Sequence, residues 1–286
     1  MNKKKILIDK QIGQNLKNLL SKKQSDKNKK FKRELKKNID QIKLGYLDKK
    51  NYFYVLNGIK SDDNYIKKIK LIAKSLGVVI EQNAKKEKFV KVTPKLKLLR
   101  EFNQEQQDTQ LRYHQTNSGG SIHSDGPQLS TPPNYVFLAC IKESENGGKS
   151  IITYCNKIYD QLKKNKPDIL KILKSKFLFE RRGFNHKPKI FSQPIFFLKK
   201  NNLRFRYLRE YIETAYKIRN IKMSVKKVKA LNKLDSYLDN KLYQKKLKLK
   251  TGDIMILNNR FLAHGRTKFK INKNSSQRSL LRVWVN

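Results

Sequence analysis

The sequence predicts a mainly β fold, a sandwich or barrel of short strands with helical insertions. Three observations carry this. Short runs rich in β-branched and aromatic residues recur along the 286 residues, among them Tyr52-Phe53-Tyr54-Val55-Leu56, Ser150-Ile151-Ile152-Thr153-Tyr154 and Ile254-Met255-Ile256-Leu257. Turn signals bound them: Gly147-Gly148 precedes one and Gly252-Asp253 another. Only a few stretches carry apolar residues at helical spacing.

In chain order, residues 1–45 are Lys-rich, with amphipathic helices expected around Ile12–Leu20 and Phe31–Leu44 and a polar link at 22–32. The run at Tyr52–Leu56 reads as a strand. Ser61-Asp62-Asp63 can cap a helix reaching Leu76, with Ile66, Ile69, Ile72 and Ala73 on its apolar face. Residues 88–94 alternate and stop at Pro94, as a strand does. The stretch 101–121 is polar and reads as a loop. After the strand at 150–154, residues 156–164 and 167–176 read as helices, the second with proline in its first turn. Residues 181–194 read as a loop able to cover a site. Pro194–Leu198 and Leu203–Tyr207, joined by Lys-Lys-Asn-Asn, form a hairpin signal. Val225, Val228, Leu231, Leu234 and Leu238 mark a helix before the strand at 254–257. We read 1–45 as a helical segment packing on a domain spanning 46–286.

The whole-chain numbers exclude some classes. A hydrophobic content of 37% suffices for a folded domain, and no run of 18 apolar residues suggests a membrane span. The basic start at Met1–Asp9 lacks the apolar stretch of a secretory signal. The two cysteines, Cys140 and Cys155, match no metal-ligand spacing, so reduced thiols and a cytoplasmic location are expected, with no membrane partner. The net charge of +44 raises nucleic acid as a partner. However, 54 of the 67 basic residues are Lys, and they are spread along the whole chain. Asn and Ile are abundant too, as AT-rich codons give. No specific nucleic-acid partner is therefore expected, only salt-sensitive adhesion to polyanions.

The chemistry concentrates in two distant stretches. In Ser121-Ile122-His123-Ser124-Asp125-Gly126, an extended backbone points residues 123 and 125 to one side. A His-x-Asp pair alone is common. Downstream, His264 follows the buried strand at 254–257, and Arg278 lies fourteen residues beyond it at the head of Arg278-Ser279-Leu280-Leu281-Arg282-Val283-Trp284-Val285. Two imidazoles and one carboxylate on one side of a metal make the facial triad of non-haem Fe(II) oxygenases. An Arg in an apolar strand is costly unless it meets an anion, and a dicarboxylate co-substrate would be one.

In these residues the chain resembles the Fe(II)/2-oxoglutarate-dependent dioxygenases of the taurine dioxygenase-like (TauD/TfdA) superfamily. Within it the resemblance is to the clavaminate synthase-like branch, which includes amino-acid oxygenases. The resemblance spans roughly residues 50–286 and includes Pro132–Cys140, Gly147-Gly148-Lys149-Ser150, and Asn259-Arg260 through Phe269. Ser150 stands where the family usually has Thr, and keeps the hydroxyl. Asp125 stands where many members of the branch have Glu.

The resemblance implies a double-stranded β-helix, a cupin-like jelly roll. It implies Fe(II) held by His123, Asp125 and His264, and 2-oxoglutarate held by Arg278 and Ser150. O2 is the third reactant, and succinate and CO2 are co-products. Hydroxylation is the default outcome, with desaturation or cyclisation as variants. Arg282 is implied for the carboxylate of a small substrate such as a free amino acid; a structural ion pair is the alternative. Arg260 and Arg266 are expected to pack or pair locally, with substrate contact as the alternative for each, and His114 and His186 to lie in exposed loops. Two other readings stay open: a nucleic-acid-directed relative, and a non-catalytic basic binding protein. The gap of 139 residues between Asp125 and His264 argues against the alkylated-base dealkylases, where it is much shorter.

Overall fold

A computed structural model describes residues 3–21, 28–49, 51–94, 116–181, 189–199, 202–270 and 278–286. Among these, two antiparallel sheets carry the fold. The larger runs β1 (Phe53–Leu56), β12 (Ile254–Asn258), β5 (Tyr135–Lys142), β14 (Ser279–Val285), with β2 (Val79–Ile80) and β3 (Phe89–Val92) both paired to β14. The smaller runs β11 (Gln244–Leu247), β6 (Ser150–Tyr154), β13 (Leu262–Arg266), β4 (Gly120–His123). This is the expected jelly-roll core.

Strand alternation explains the packing. Along β5, Val136, Leu138 and Cys140 point inward. They meet Met255 and Leu257 of β12, Leu280 and Trp284 of β14, and Ile152 and Leu262 of the smaller sheet. Tyr135, Phe137 and Ala139 point to the other face, as do Ile254, Ile256, Leu281, Val283 and Val285. That face is covered by α1 (Lys3–Ser21), α2 (Lys29–Ile42) and α3 (Tyr65–Leu76). In α2, Phe31, Leu35, Ile39 and Ile42 recur at helical spacing, and the Asn28 side chain accepts from the Phe31 N–H at 3.1 Å as N-cap.

The outer face of the smaller sheet is covered in turn. Ile151 and Ala263 meet α4 (Cys155–Asn165), α5 (Pro167–Leu173), α6 (Arg209–Ile218) and α7 (Val225–Leu238). Two hairpins complete this layer: β7 (Lys176–Glu180) with β8 (Ile190–Pro194), and β9 (Phe196–Lys199) with β10 (Asn202–Phe205). Both cysteines are free and buried, and burial pushes the Cys140 thiol up to about 12. Among the described residues no helix is long and apolar enough to cross a membrane.

Some elements differ from the sequence expectation. The helix reaching Leu76 begins at Tyr65, so Ser61-Asp62-Asp63 is not its cap. Ile66 is 44% exposed, and Lys68 takes a buried place because Asp62 binds its ammonium at 2.8 Å. The helix expected to reach Leu44 gives way to a π-turn at Lys43–Leu47. Ile190–Pro194 is strand rather than loop; Pro194 is tolerated as the strand's last residue, on a two-stranded edge. Helix α6 was not anticipated, since charged residues are interleaved with its buried Tyr211, Ile212, Ala215 and Tyr216. His114, His186, most of the 101–121 stretch, the 22–27 link and the 182–188 part of the covering loop lie outside the described residues.

Candidate active site

Cross-strand register creates the site. His123 ends β4 and pairs directly with His264 on β13, so both imidazoles leave the smaller sheet side by side, with ring centroids 4.7 Å apart. Asp125 lies two residues on, where the chain has left the strand. Its backbone is fixed by Asn259, whose side-chain oxygen accepts from the Asp125 N–H at 2.9 Å. The Asn259 amide donates to the carbonyls of Asp125 and Pro133, both at 2.9 Å. Gly126 follows at φ +64, and a Cβ there would sit 2.7 Å from Pro133 Cδ.

The three side chains converge. Nε2 of His123 lies 3.8 Å, and Nε2 of His264 4.0 Å, from the Asp125 carboxylate oxygens. One ligand atom from each lies within 4.8 Å of the others. These separations are too long for hydrogen bonds and leave room for a cation at ordinary metal–ligand distances of about 2.0–2.2 Å. Burial, then the neighbouring His123, lower the pKa of His264 to about 3. The imidazole is thus neutral at physiological pH, the form that ligates. For Asp125, burial alone would raise the pKa, but Arg282, both histidines and Trp284 outweigh it and hold it at about 2. An ionised carboxylate beside the neutral His264 imidazole and the His123 imidazole fits Fe(II) with positions left open.

Both carboxylate oxygens of Asp125 have a second partner. Arg282 Nη1 donates to Oδ1 at 3.1 Å and Trp284 Nε1 to Oδ2 at 2.9 Å. Leu280, Arg282 and Trp284 occupy alternate positions of β14 and line the same cavity as the triad, as do Arg278 and Ser150. Arg278 precedes the strand by one residue, 7% exposed, with its guanidinium 5.7 Å from the Phe269 ring. Gly148, at φ +64, lets the chain pass close to it: a Cβ there would come within 3.2 Å of the Arg278 side chain. Arg282 does take a structural ion pair, the alternative raised from sequence. Its fork is only partly used, however. Nη1 meets Asp125 and Nε meets Gln82 at 2.8 Å, while Nη2 has no partner among the described residues.

Sequence reasoning missed several of these residues. Gln82 is 4% exposed, and its amide also donates to the carbonyls of Arg282 and Lys88 at 2.9 Å. It lies outside every motif, and no sequence signal marked it. Trp284 could have been placed by its i, i+2 relation to Arg282. Glu210 and Tyr211, at the start of the unanticipated α6, also line the cavity. Arg260 pairs with Asp48, and Arg266 donates to the carbonyls of Thr116 and Ser118 at 3.0 and 2.7 Å, so both pair locally as expected.

Arg206 holds the loop after Asp125. It is 1% exposed and donates to the carbonyls of Pro127, Leu129 and Ser130, between the rings of Phe191 and Phe197. Burial lowers its pKa to about 10. Each stranded buried carbonyl costs about 1–3 kcal/mol. Arg206→Met is therefore expected to destabilise the fold by at least ~3 kcal/mol, read as a lower urea midpoint at unchanged slope.

Residues 55–284 match the family model described as taurine catabolism dioxygenase TauD, TfdA family. The chain belongs to this family. An FR-33289 synthase from Streptomyces rubellomurinus is 23% identical over 182 residues, covering 62% of this chain and 52% of that protein. The chain therefore spans about half the length of that curated relative. Asparagine oxygenase, solved with Fe(II), 2S,3S-3-hydroxyasparagine and succinate, superposes with a TM-score of 0.68 at 14% identity, covering 100% of this chain and 92% of that one. The oxygenase OrfP, solved with Fe and alpha-ketoglutaric acid, gives 0.64 at 12% identity, covering 96% and 91%. At these identities the structural likeness concerns the fold.

Proposed function

We propose that this TauD/TfdA-family protein is an Fe(II)- and 2-oxoglutarate-dependent oxygenase that hydroxylates a small carboxylate-bearing substrate, such as a free amino acid or derivative. One observation carries the reading: His123, Asp125, His264, Arg278, Ser150 and Arg282 line a single cavity. Fe(II) with 2-oxoglutarate supplies the oxidising chemistry, in which loss of CO2 to give succinate is coupled to insertion of oxygen into a substrate C–H bond.

The chain's own residues bind and orient. His123, Asp125 and His264 hold the metal from one side, leaving the cavity side open. Arg278, buried at the cavity wall, takes the distal carboxylate of 2-oxoglutarate, with the Ser150 hydroxyl as second donor. Arg282 offers Nη2, which makes no hydrogen bond among the described residues, to the substrate carboxylate, while Gln82 and Asp125 fix the plane of the fork. Among the described residues Glu210 is the other carboxylate that lines the cavity. Asparagine oxygenase and OrfP, whose structures hold hydroxylated amino acids, make amino acids the first class to try. Succinate release above the substrate-free rate, screened across free amino acids with iron-loaded protein, tests the reading. A screen in which no carboxylate-bearing compound raises the rate, while an uncharged one does, contradicts it.

The charge of +44 favours a nucleic-acid-directed reading instead. With lysines spread along the whole chain, binding to DNA or RNA is expected to be weak, indifferent to sequence, and to fall steeply with salt. Nanomolar, sequence-dependent binding at physiological salt, measured by fluorescence anisotropy, would favour the nucleic-acid reading.

A further inference from the structure

The loop after Asp125 borders a second groove. Gly126, Pro127 and Gln128 line the catalytic cavity, whereas Ser130 through Asn134 line the groove, with Asn259 at its edge. Four cationic side chains also line it, Lys199, Arg204, Arg206 and Arg260. Among the described residues no Asp or Glu does.

Among the described residues only Arg260 of the four has a carboxylate partner, Asp48. Arg204 Nη1 donates to the neutral side-chain oxygen of Asn134 at 2.9 Å, and its Nε is buried without a hydrogen-bond partner. Arg206 spends its donors on carbonyls, and its Nε is likewise buried and unpaired. Burial, then the charge of Arg260, lower the pKa of Arg204, so the two guanidinium groups repel. Four cations gathered at a concave surface against the single carboxylate of Asp48 carry a desolvation and repulsion cost that a bound anion lowers.

The lining also selects the anion. Cationic groups from three segments, β9, β10 and the turn at Arg260, suit a multiply charged oxyanion better than a single carboxylate. The hydroxyls of Ser130 and Thr131 add neutral donors. We propose that this groove binds a phosphate-type oxyanion, either free phosphate or the phosphate ester of a small molecule. The site is separate from the metal residues and shares with them the 126–134 loop. It does not depend on the substrate assigned above.

The test uses protein loaded with Fe(II) and 2-oxoglutarate under anaerobic conditions, so that the catalytic cavity is occupied. Inorganic phosphate and glycerol 3-phosphate are titrated in parallel by calorimetry at constant ionic strength. Saturable binding of one anion per chain is expected. Arg204→Gln should weaken it at least about tenfold. Lys199→Gln, on an exposed side chain with no packing role, should weaken it as well. Lys222→Gln, on the exposed turn between α6 and α7, should change nothing. Equal affinities assign free phosphate, and tighter binding of the ester assigns a phosphorylated small molecule. Heat that never saturates overturns the proposal. So do unchanged affinity in both Arg204→Gln and Lys199→Gln, and an equal loss in Lys222→Gln, which marks diffuse charge.

Discussion

Asp125→Ala is expected to abolish Fe(II) binding and turnover together, and His264→Ala to do the same. Each removes one of three protein donors from a site whose other positions are left to small ligands. The loss in Asp125→Ala is compounded: Arg282 Nη1 and Trp284 Nε1 lose their acceptor, so a half-buried cation is left without its counter-charge. Trp284 is the only tryptophan in the chain and donates directly to the metal carboxylate. Its fluorescence therefore reports Fe(II) binding without any assay of activity. Titration should give one metal per chain in the wild type and no saturable change in either variant. Full activity in either variant would remove the triad from the account.

The second large effect separates two arginines of one cavity wall. Losing a charge-assisted contact to a carboxylate costs on the order of 2–5 kcal/mol, or roughly 30-fold to several-thousand-fold in affinity. Arg278→Ala should raise the KM for 2-oxoglutarate by that factor. Arg282→Ala should leave 2-oxoglutarate able to bind while substrate-stimulated succinate formation falls. Because Arg282 also touches Asp125, its variant should lose some metal affinity, about 10–100-fold as outer partners of metal ligands do. The comparison is therefore made at saturating Fe(II). If Arg282→Ala weakens 2-oxoglutarate as much as Arg278→Ala does, the division of roles is wrong, and the case for a carboxylate-bearing substrate goes with it.

Local patterns in the sequence predicted much of this architecture. The apolar run Ile254–Leu257 was legible as a buried strand, but with both of its faces buried nothing in it told which residues face the inter-sheet core; the i, i+4 relation put Arg278 and Arg282 on one side. The convergence of His123 with His264 was legible only through the order and spacing of a known motif, because direct pairing of β4 with β13 joins residues 141 apart. The partners that side chains find across such distances were not legible, whether the residue lies outside every motif, as Gln82 does, or within one, as Asn259 does. Gln82 reaches Arg282 across 200 residues, and Asn259 reaches Asp125 across 134. Lys68 shows the complementary failure: helical spacing favoured Ile66 for the interior, but a local Asp62 made burying a lysine cheaper than periodicity alone suggests.

One cavity is expected to hold Fe(II) and 2-oxoglutarate together. Anaerobic titration of iron-loaded protein with 2-oxoglutarate, followed by visible absorbance, tests it most directly, since a keto acid chelating Fe(II) gives a charge-transfer band that neither component shows alone. The band should grow to saturation at one equivalent per chain and be absent in His264→Ala. In Arg278→Ala it should require far higher 2-oxoglutarate. Iron-loaded wild-type protein that develops no such band, at any 2-oxoglutarate concentration, would contradict the account.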